Sequence, residues 1–292
     1  MEDTYVMNMK RLIALALALV LSLALAACGS GAAPSPSASA PAESAPAESA
    51  SAESDLDYVK GKGALVIGYT VYAPMNYTDD NGEFTGFDTE LAKAVCEKLG
   101  VEPQFQEIVW ETKEIELAGK TIDCIWNGMT LDPEREANMA CTVPYVKNAQ
   151  VVVMKADADY ADTSSLIGKS VCAEVGSAGE TQILGNEETK PDANLAQADY
   201  VGKSVQTDCL MEVAAGTCDA AVLDMTLANA MIGEGTDYAG LKIVDELAVE
   251  NYGVAFRQGS DVRDAVNEIF AEMVADGSLG ALADKYGLEL AD

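Results

Sequence analysis

The sequence predicts an α/β fold, and three observations carry that expectation. From residue 55 onward, short β-rich apolar runs alternate with amphipathic helical runs, the mark of βαβ units and a mostly parallel sheet. A hydrophobic content of 49% can build cores despite 48 acidic residues against 18 basic ones. The length of 292 residues corresponds to about two domains. The formal net charge of −30 argues against nucleic-acid binding, because the few cations do not cluster against phosphates. The absence of histidine removes His-dependent nucleophile pairs and His-ligated metal sites.

The chain opens with an address. Residues 12–27, LIALALALVLSLALAA, form an uncharged apolar run behind Lys10-Arg11. The run is shorter than the roughly 20 residues of a membrane span and ends in small residues, which predicts a signal peptide over 1–27. It closes in Leu25-Ala26-Ala27-Cys28, similar to a bacterial lipobox, which implies that Cys28 is lipidated. Residues 28–54 are almost only Gly, Ala, Ser, Pro and Glu, with PAESA repeated at 41–45 and 46–50. That composition has too little apolar surface to fold and is expected to act as a disordered tether.

The folded elements follow in order. ALVIGYT (64–70) is a buried strand bounded by Gly63 and the Ala73-Pro74 turn, and DDNGE (79–83) is a polar hairpin turn. In GFDTELAKAVCEKLG (86–100), Phe87, Leu91, Val95 and Leu99 recur every four residues, Asp88 can cap the start and Gly100 stops the helix. Strand, short helix and strand follow at 103–110, 113–119 and 121–128. A second set begins near Val151, with strands at 149–156, 169–176, 198–202 and 219–224 and helices at 178–185, 206–216 and 225–233. The strand 250–258 and helices 261–277 and 278–287 close the chain.

Eight segments in one order give the chain a specific likeness. GYTVYAPMNY (68–77), NGEFTGFDTELAKAV (81–95), GKTIDCIWNGMTLDPER (119–135) and TVPY (142–145) are followed by EVGSAGE (174–180), GTCDAAVLD (216–224), YGVAF (252–256) and DGSLGALADKYGL (276–288). In these the chain resembles the amino-acid (family 3) extracellular solute-binding proteins of bacterial ABC importers, in lipoprotein form. The resemblance implies a periplasmic-binding-protein-like type II fold, with two α/β lobes, two hinge crossings and a ligand cleft between them. Lobe 1 would comprise 55–148 plus 252–292, and lobe 2 would comprise 149–251. A cleft is expected on separate grounds, since ligands of open α/β sheets settle beyond the carboxyl ends of the strands.

A free amino acid is a zwitterion, so its site needs a guanidinium for the carboxylate and an acid with further acceptors for the ammonium. Arg135, one of four arginines, stands just beyond the strand 121–128 and matches the family's carboxylate-binding Arg; the competing reading is a surface Arg on a helix's first turn. Asp224 ends the strand 219–224 and matches the acid that takes the ammonium, with a helix N-cap as the rival reading. Gly128 and Thr130 match backbone and hydroxyl contacts. Tyr72 and Trp110 match the aromatic walls around the ligand stem, or are ordinary packing. Ser177 and Ala178 occupy a turn whose N–H groups complete carboxylate binding in the family, where many members carry Thr in place of Ala178. For the ligand's side chain the sequence offers Glu174, which suits a basic or polar group, and Asn127, which offers one neutral contact; Glu174 can equally be a solvated strand-edge acid.

Six cysteines lie beyond Cys28. Cys96, Cys124 and Cys172 sit in apolar contexts and read as small buried hydrophobes, whereas Cys209–Cys218 is the pair to test first for a disulfide. No CxxC, nucleotide-binding glycine motif or EF-hand spacing occurs, so neither metal nor cofactor is expected. The resemblance thus implies an extracytoplasmic, lipid-anchored monomer that hands an amino acid to an ABC permease and its ATPase. A sensor presenting the ligand to a receptor, and a dehydratase-like enzyme on the same fold, are the alternatives.

Overall fold

A computed structural model describes residues 54–292. The expected signal peptide, Cys28 and nearly all of the tether lie outside the described residues. Among the described residues, no helix is long and apolar enough to cross a membrane, and no cluster of three His, Cys, Asp or Glu is placed to hold a metal.

The architecture is the two-lobed α/β type II arrangement. In chain order the first elements are α1 (Asp55–Lys62), β1 (Ala64–Tyr69), β2 (Tyr77–Thr78), β3 (Phe84–Thr85), α2 (Phe87–Leu99), β4 (Glu102–Glu107), α3 (Lys113–Ala118), β5 (Cys124–Thr130), α4 (Pro133–Asn138), β6 (Ala140–Cys141) and β7 (Val146–Lys155). They are followed by β8 (Ser170–Glu174), α5 (Ala178–Leu184), β9 (Asp199–Lys203), α6 (Gln206–Ala215), β10 (Ala220–Asp224), α7 (Met225–Met231), β11 (Leu241–Phe256), α8 (Val262–Ala275) and α9 (Ser278–Tyr286).

One continuous sheet runs β4-β1-β5-β11-β7-β10-β8-β9, with β6 beside β11. Its two ends are parallel, β4-β1-β5 in one lobe and β10-β8-β9 in the other. The centre is antiparallel, because β7 and β11 run against each other and against β10 and β5. The expected crossings between lobes, at 148/149 and 251/252, fall inside these two strands, where Asn148 pairs with Glu250 and Ala149 with Val249. Both expected crossings therefore lie in one β-ladder. On one side α2, α8 and α9 pack Leu91, Val95, Val266 and Phe270 around Trp126; on the other, Val152, Val171, Ile183, Leu195 and Val222 form a separate core.

Four local expectations differ from what is found. The helix α1 was not legible, since DLDYVKGK has no apolar stripe; tertiary bonds hold it, with Asp55 on Arg257 Nε at 2.9 Å and Leu56 N on Asp261 Oδ1 at 2.8 Å. The last strand begins at Leu241 rather than 250, because bulges between Ile243 and Asp245 and between Glu246 and Ala248 break its alternation. Asp88 does not cap α2, whose N-cap is Gly86; its carboxylate is buried and turned to Gly128 instead. Cys209 and Cys218 are not bonded to each other, all six described cysteines being free thiols. Cys172 Sγ donates to Cys209 O at 3.6 Å and to Ala220 O at 3.4 Å.

Candidate functional site

All ten residues singled out from the sequence line one cavity at the carboxyl ends of β1, β5, β8 and β10, where the two lobes meet. The cavity measures about 10 Å³, room for about one water, so the lobes are drawn together. Hydrogen bonds cross the gap, among them one between Tyr72 OH and Thr226 Oγ1. Gly176 O accepts from Arg135 Nη2 at 3.0 Å and from Lys113 Nζ at 3.1 Å, and Asn186 Nδ2 donates to Glu134 Oε2 at 2.5 Å.

The first-lobe wall is set by β5. Its sequence CIWNGMT is buried at every position, and the strand's end delivers Asn127, Gly128 and Thr130 to the cavity. Gly128 has φ 56°, and a Cβ there would stand 2.8 Å from Tyr72 Cε1 and 3.1 Å from Tyr252 Cε2, so only glycine lets the two phenols close in. Its N–H donates to Asp88 Oδ2 at 2.6 Å, and Tyr145 OH donates to Asp88 Oδ1 at 2.8 Å. Burial pushes the Asp88 carboxyl up to about 7. The backbone group left on Gly128 is its carbonyl.

Asn127 is fully engaged within the lobe. Its Oδ1 accepts from Thr70 N at 3.0 Å and Thr70 Oγ1 at 2.7 Å, while Nδ2 donates to Thr70 O at 2.8 Å and Asn76 Oδ1 at 2.7 Å. With both donors and the acceptor occupied, the side chain braces the turn after β1 and has little to offer a ligand. This replaces the expectation of a neutral ligand contact with a supporting one. Tyr72, at that turn, is 3% exposed, and its hydroxyl meets Tyr252 OH at 2.5 Å and Thr226 Oγ1. Trp110 follows β4 on a short 3₁₀ turn rather than ending the strand, and lies under Lys113 Nζ, 4.8 Å from the ring centroid.

Arg135 is 6% exposed, not a surface residue. Asp132 caps α4 by accepting from Arg135 N at 2.8 Å and also pairs with Arg135 Nε at 3.2 Å. Nη1 donates to Thr130 O at 2.9 Å, and with Nη2 on Gly176 O one N–H on each terminal nitrogen is left for another acceptor.

The second-lobe wall is acidic. Glu174 ends β8, is 3% exposed, and its Oε1 has no hydrogen-bond partner. Burial first, then the charge of Asp224, pushes its carboxyl up to about 8. Ser177 caps α5 through Glu180 N at 3.1 Å, and Ala178 is the first helical residue. Asp224 stands at the N-cap position of α7 yet makes no capping bond. Its Oδ1 accepts from Asn148 Nδ2 at 2.7 Å and Gln150 Nε2 at 2.6 Å, and its Oδ2 from Gln206 Nε2. Burial raises its pKa from the ordinary value.

Six participants were missed from the sequence: Asn148, Gln150, Gln206, Glu250, Tyr252 and Lys113. A signal existed for four of them. Asn148 and Gln150 are two residues apart in an otherwise apolar strand, so one face of β7 is polar inside the protein, and Glu250 with Tyr252 repeats that spacing on β11.

Comparison with known proteins finds relatives over most of the chain. A family model described as bacterial extracellular solute-binding proteins, family 3, matches residues 65–289. The arginine-binding extracellular protein ArtP of Bacillus subtilis is 29% identical over 228 residues, covering 77% of this chain and 87% of ArtP. The histidine-binding periplasmic protein of Escherichia coli is 30% identical over 223 residues, covering 74% of this chain and 84% of that protein. Among solved structures, the ancestral amino acid-binding protein AncCDT-1, described as a precursor of cyclohexadienyl dehydratase, superposes with a TM-score of 0.70 at 28% identity, over 80% of this chain and 99% of that one.

Proposed function

The chain belongs to the bacterial extracellular solute-binding proteins of family 3, and from that premise we propose that it binds an amino acid between its lobes and delivers it to an ABC importer. The observation that carries this reading is the cavity's polarity. A guanidinium with open donors stands on one side, and buried carboxylates held by neutral amides stand on the other. That array complements a zwitterion: Arg135 takes the carboxylate with the turn at Ser177 and Ala178, Asp224 takes the ammonium with the Gly128 carbonyl, and Tyr72 and Trp110 flank the stem.

The side chain is read by Glu174, whose unpartnered oxygen favours a basic or strongly hydrogen-bonding group such as those of Arg, Lys or Gln. The relatives named for arginine and histidine fit that choice. Binding drives hinge closure on β7 and β11, because each lobe holds one part of the ligand. Cys28 anchors the protein as a lipoprotein outside the cell membrane, and the chain acts as a monomer without a cofactor. The role is binding rather than catalysis, in keeping with the relatives named for the amino acids they bind.

A thermal-shift screen of the folded region against the twenty amino acids, ornithine, citrulline and cystine tests the reading, after partial unfolding to strip carried ligand. A ligand at about 100 times its Kd adds about 2.7 kcal/mol, a shift of several degrees. Stabilisation by Arg, Lys, ornithine or Gln is expected. A response to acidic or apolar amino acids alone overturns the role of Glu174, and no response to any overturns the amino-acid site.

A further inference from the structure

The acid end of the cavity contains a carboxylate that the binding scheme does not use. Glu250 is carried on the hinge strand β11, next to Tyr252 on the same face, and its Oε1 accepts from Thr130 Oγ1 at 2.8 Å. The same Oε1 accepts from Asn148 Nδ2 at 2.6 Å and Gln150 Nε2 at 2.9 Å. These are the two amide nitrogens that hold Asp224 Oδ1. Each amide therefore spends one N–H on Asp224 and one on Glu250, so that two amides of β7 are clamped between an acid of β10 and an acid of β11. Two carboxylates sharing both donors cannot be far apart, and every donor between them is neutral.

The surroundings supply no compensating charge. Among the described residues, neither acid forms a salt bridge; the groups that face the pair are Tyr72 after β1, Thr130 of β5, Glu174 of β8, Gln206 of α6, Thr226 of α7 and Tyr252 of β11. Arg135 and Lys113 act on Glu174. Burial first, then the charge of Asp224, pushes the Glu250 carboxyl up to about 8, and Asp224 moves the same way. Like charges in a dry site cannot both ionise without a cation, and coupled acids of this kind titrate as a pair.

We infer that Glu250 is a positioning residue for Asp224, that the two acids hold one proton between them, and that this proton leaves for solvent when an ammonium docks on Asp224. The inference rests on the reading of Asp224 as the ammonium acceptor. The step balances simply. The singly protonated pair and R–NH3⁺ give a doubly ionised pair bound to R–NH3⁺, and one H⁺ goes to the buffer. Before binding, the proton keeps the empty acid end neutral enough to stay buried. After binding, the ammonium replaces it, and Glu250, through Asn148 and Gln150, reports the event directly to both hinge strands.

Calorimetric titration with L-arginine, or with the amino acid that stabilises most in the thermal screen, separates the parts. Run at pH 7 in phosphate and in Tris, whose ionisation enthalpies differ, it counts protons released per ligand. E250Q keeps the shape and the link to Thr130 but removes the titrating partner. It is expected to release about one proton fewer than wild type and to lose the weakening of Kd, up to about tenfold per pH unit, that wild type shows on going from pH 8 to pH 6. E250A, which cuts the clamp as well, is expected to bind more weakly than E250Q at both pH values. Equal proton release by wild type and E250Q overturns the shared proton, and E250A binding as tightly as E250Q overturns the positioning role.

Failure of every amino acid to bind would instead refute the Asp224 assignment. The shared proton then stands or falls on infrared titration of the ligand-free protein. The wild-type spectrum minus that of E250Q should show a protonated-carboxyl C=O stretch at neutral pH that disappears in alkali, and its absence overturns the inference.

Discussion

The two ends of the cavity are built on opposite principles. At the guanidinium end, Arg135 is already balanced: Asp132 sits 3.2 Å from Nε, and carbonyls of Thr130 and Gly176 take Nη1 and Nη2. At the acid end, Asp224 and Glu250 receive only amide and hydroxyl donors, and no positive side chain reaches them. One end is ready to take an anion by adding bonds to a settled cation. The other is unsettled until a cation arrives. A zwitterion laid between them would complete one end and neutralise the other.

The largest test breaks one end at a time. Arg135→Ala and Asp224→Ala are each expected to weaken amino-acid binding by about 2–5 kcal/mol, because each strands a buried opposite charge on the ligand. Kd values measured by calorimetry decide this. Both variants remaining within twofold of wild type would dismiss the site. Arg135→Lys sharpens the comparison, since lysine restores the charge but not the fork that reaches Thr130, Gly176 and a ligand together, and recovery should be partial.

The two ends also differ in how visible they were in the sequence. Arg135 and Asp224 were singled out because they match motif positions of the family, Asp224 ending β10 and Arg135 standing in α4 beyond β5. The strands themselves, such as ALVIGYT and DAAVLD, declared themselves by unbroken apolar runs. Glu250 was harder to see, because only its spacing with Tyr252 marks it in LAVENYG; its partners lie 120, 102 and 100 residues away, at Thr130, Asn148 and Gln150. Asp88 and Asn127 misled for the same reason. Each has a plausible local job, a helix cap or a ligand contact, and a non-local bond won in both cases: Asp88 with Gly128 across 40 residues, Asn127 with Thr70 across 57. Pattern reading locates elements well because burial is periodic, whereas polar networks are decided by tertiary register.

The pH dependence of stability follows from the acid groups. Asp88 rises from 3.8 to about 7, and Glu174 and Glu250 rise from 4.5 to about 8. The folded state therefore holds more protons than the unfolded chain between about pH 4 and 8, so stability falls as pH rises through that window. The oppositely shifted exposed acids, Asp79, Asp162 and Asp276 among them, act only below the ordinary value of 3.8 and do not cancel the trend. The ligand-free protein should thus melt at a higher temperature at pH 5 than at pH 8. Asp88→Asn, which keeps an acceptor for Gly128 N–H, is expected to remove part of that slope, of order 2–4 kcal/mol across the window. A melting temperature rising from pH 5 to 8 would contradict the buried neutral acids altogether. Saturating amino acid should flatten the slope, because it supplies the cation that lets the acid end ionise.

The smallest effect probes where the two ends meet. Lys113 is 4% exposed, donates to Gly176 O at 3.1 Å and to Trp110 O at 3.3 Å, and burial, then the charge of Arg135, lowers its pKa to about 8. Its charge also acts on Glu174, so it partly answers the acid that is to read a ligand side chain. Lys113→Met keeps the apolar stem over Trp110 and removes the cation. Loss of the bond to Gly176 weakens closure for every ligand alike, and a ratio of affinities cancels that cost. Freeing Glu174 from its neighbour should then favour cationic over neutral amino acids by about 1 kcal/mol, read as the Kd for L-glutamine divided by that for L-arginine in variant and wild type. A severalfold rise in that ratio puts Lys113 in charge of side-chain choice. An unchanged ratio with both affinities reduced would make it a closure latch that leaves selectivity to Glu174 alone.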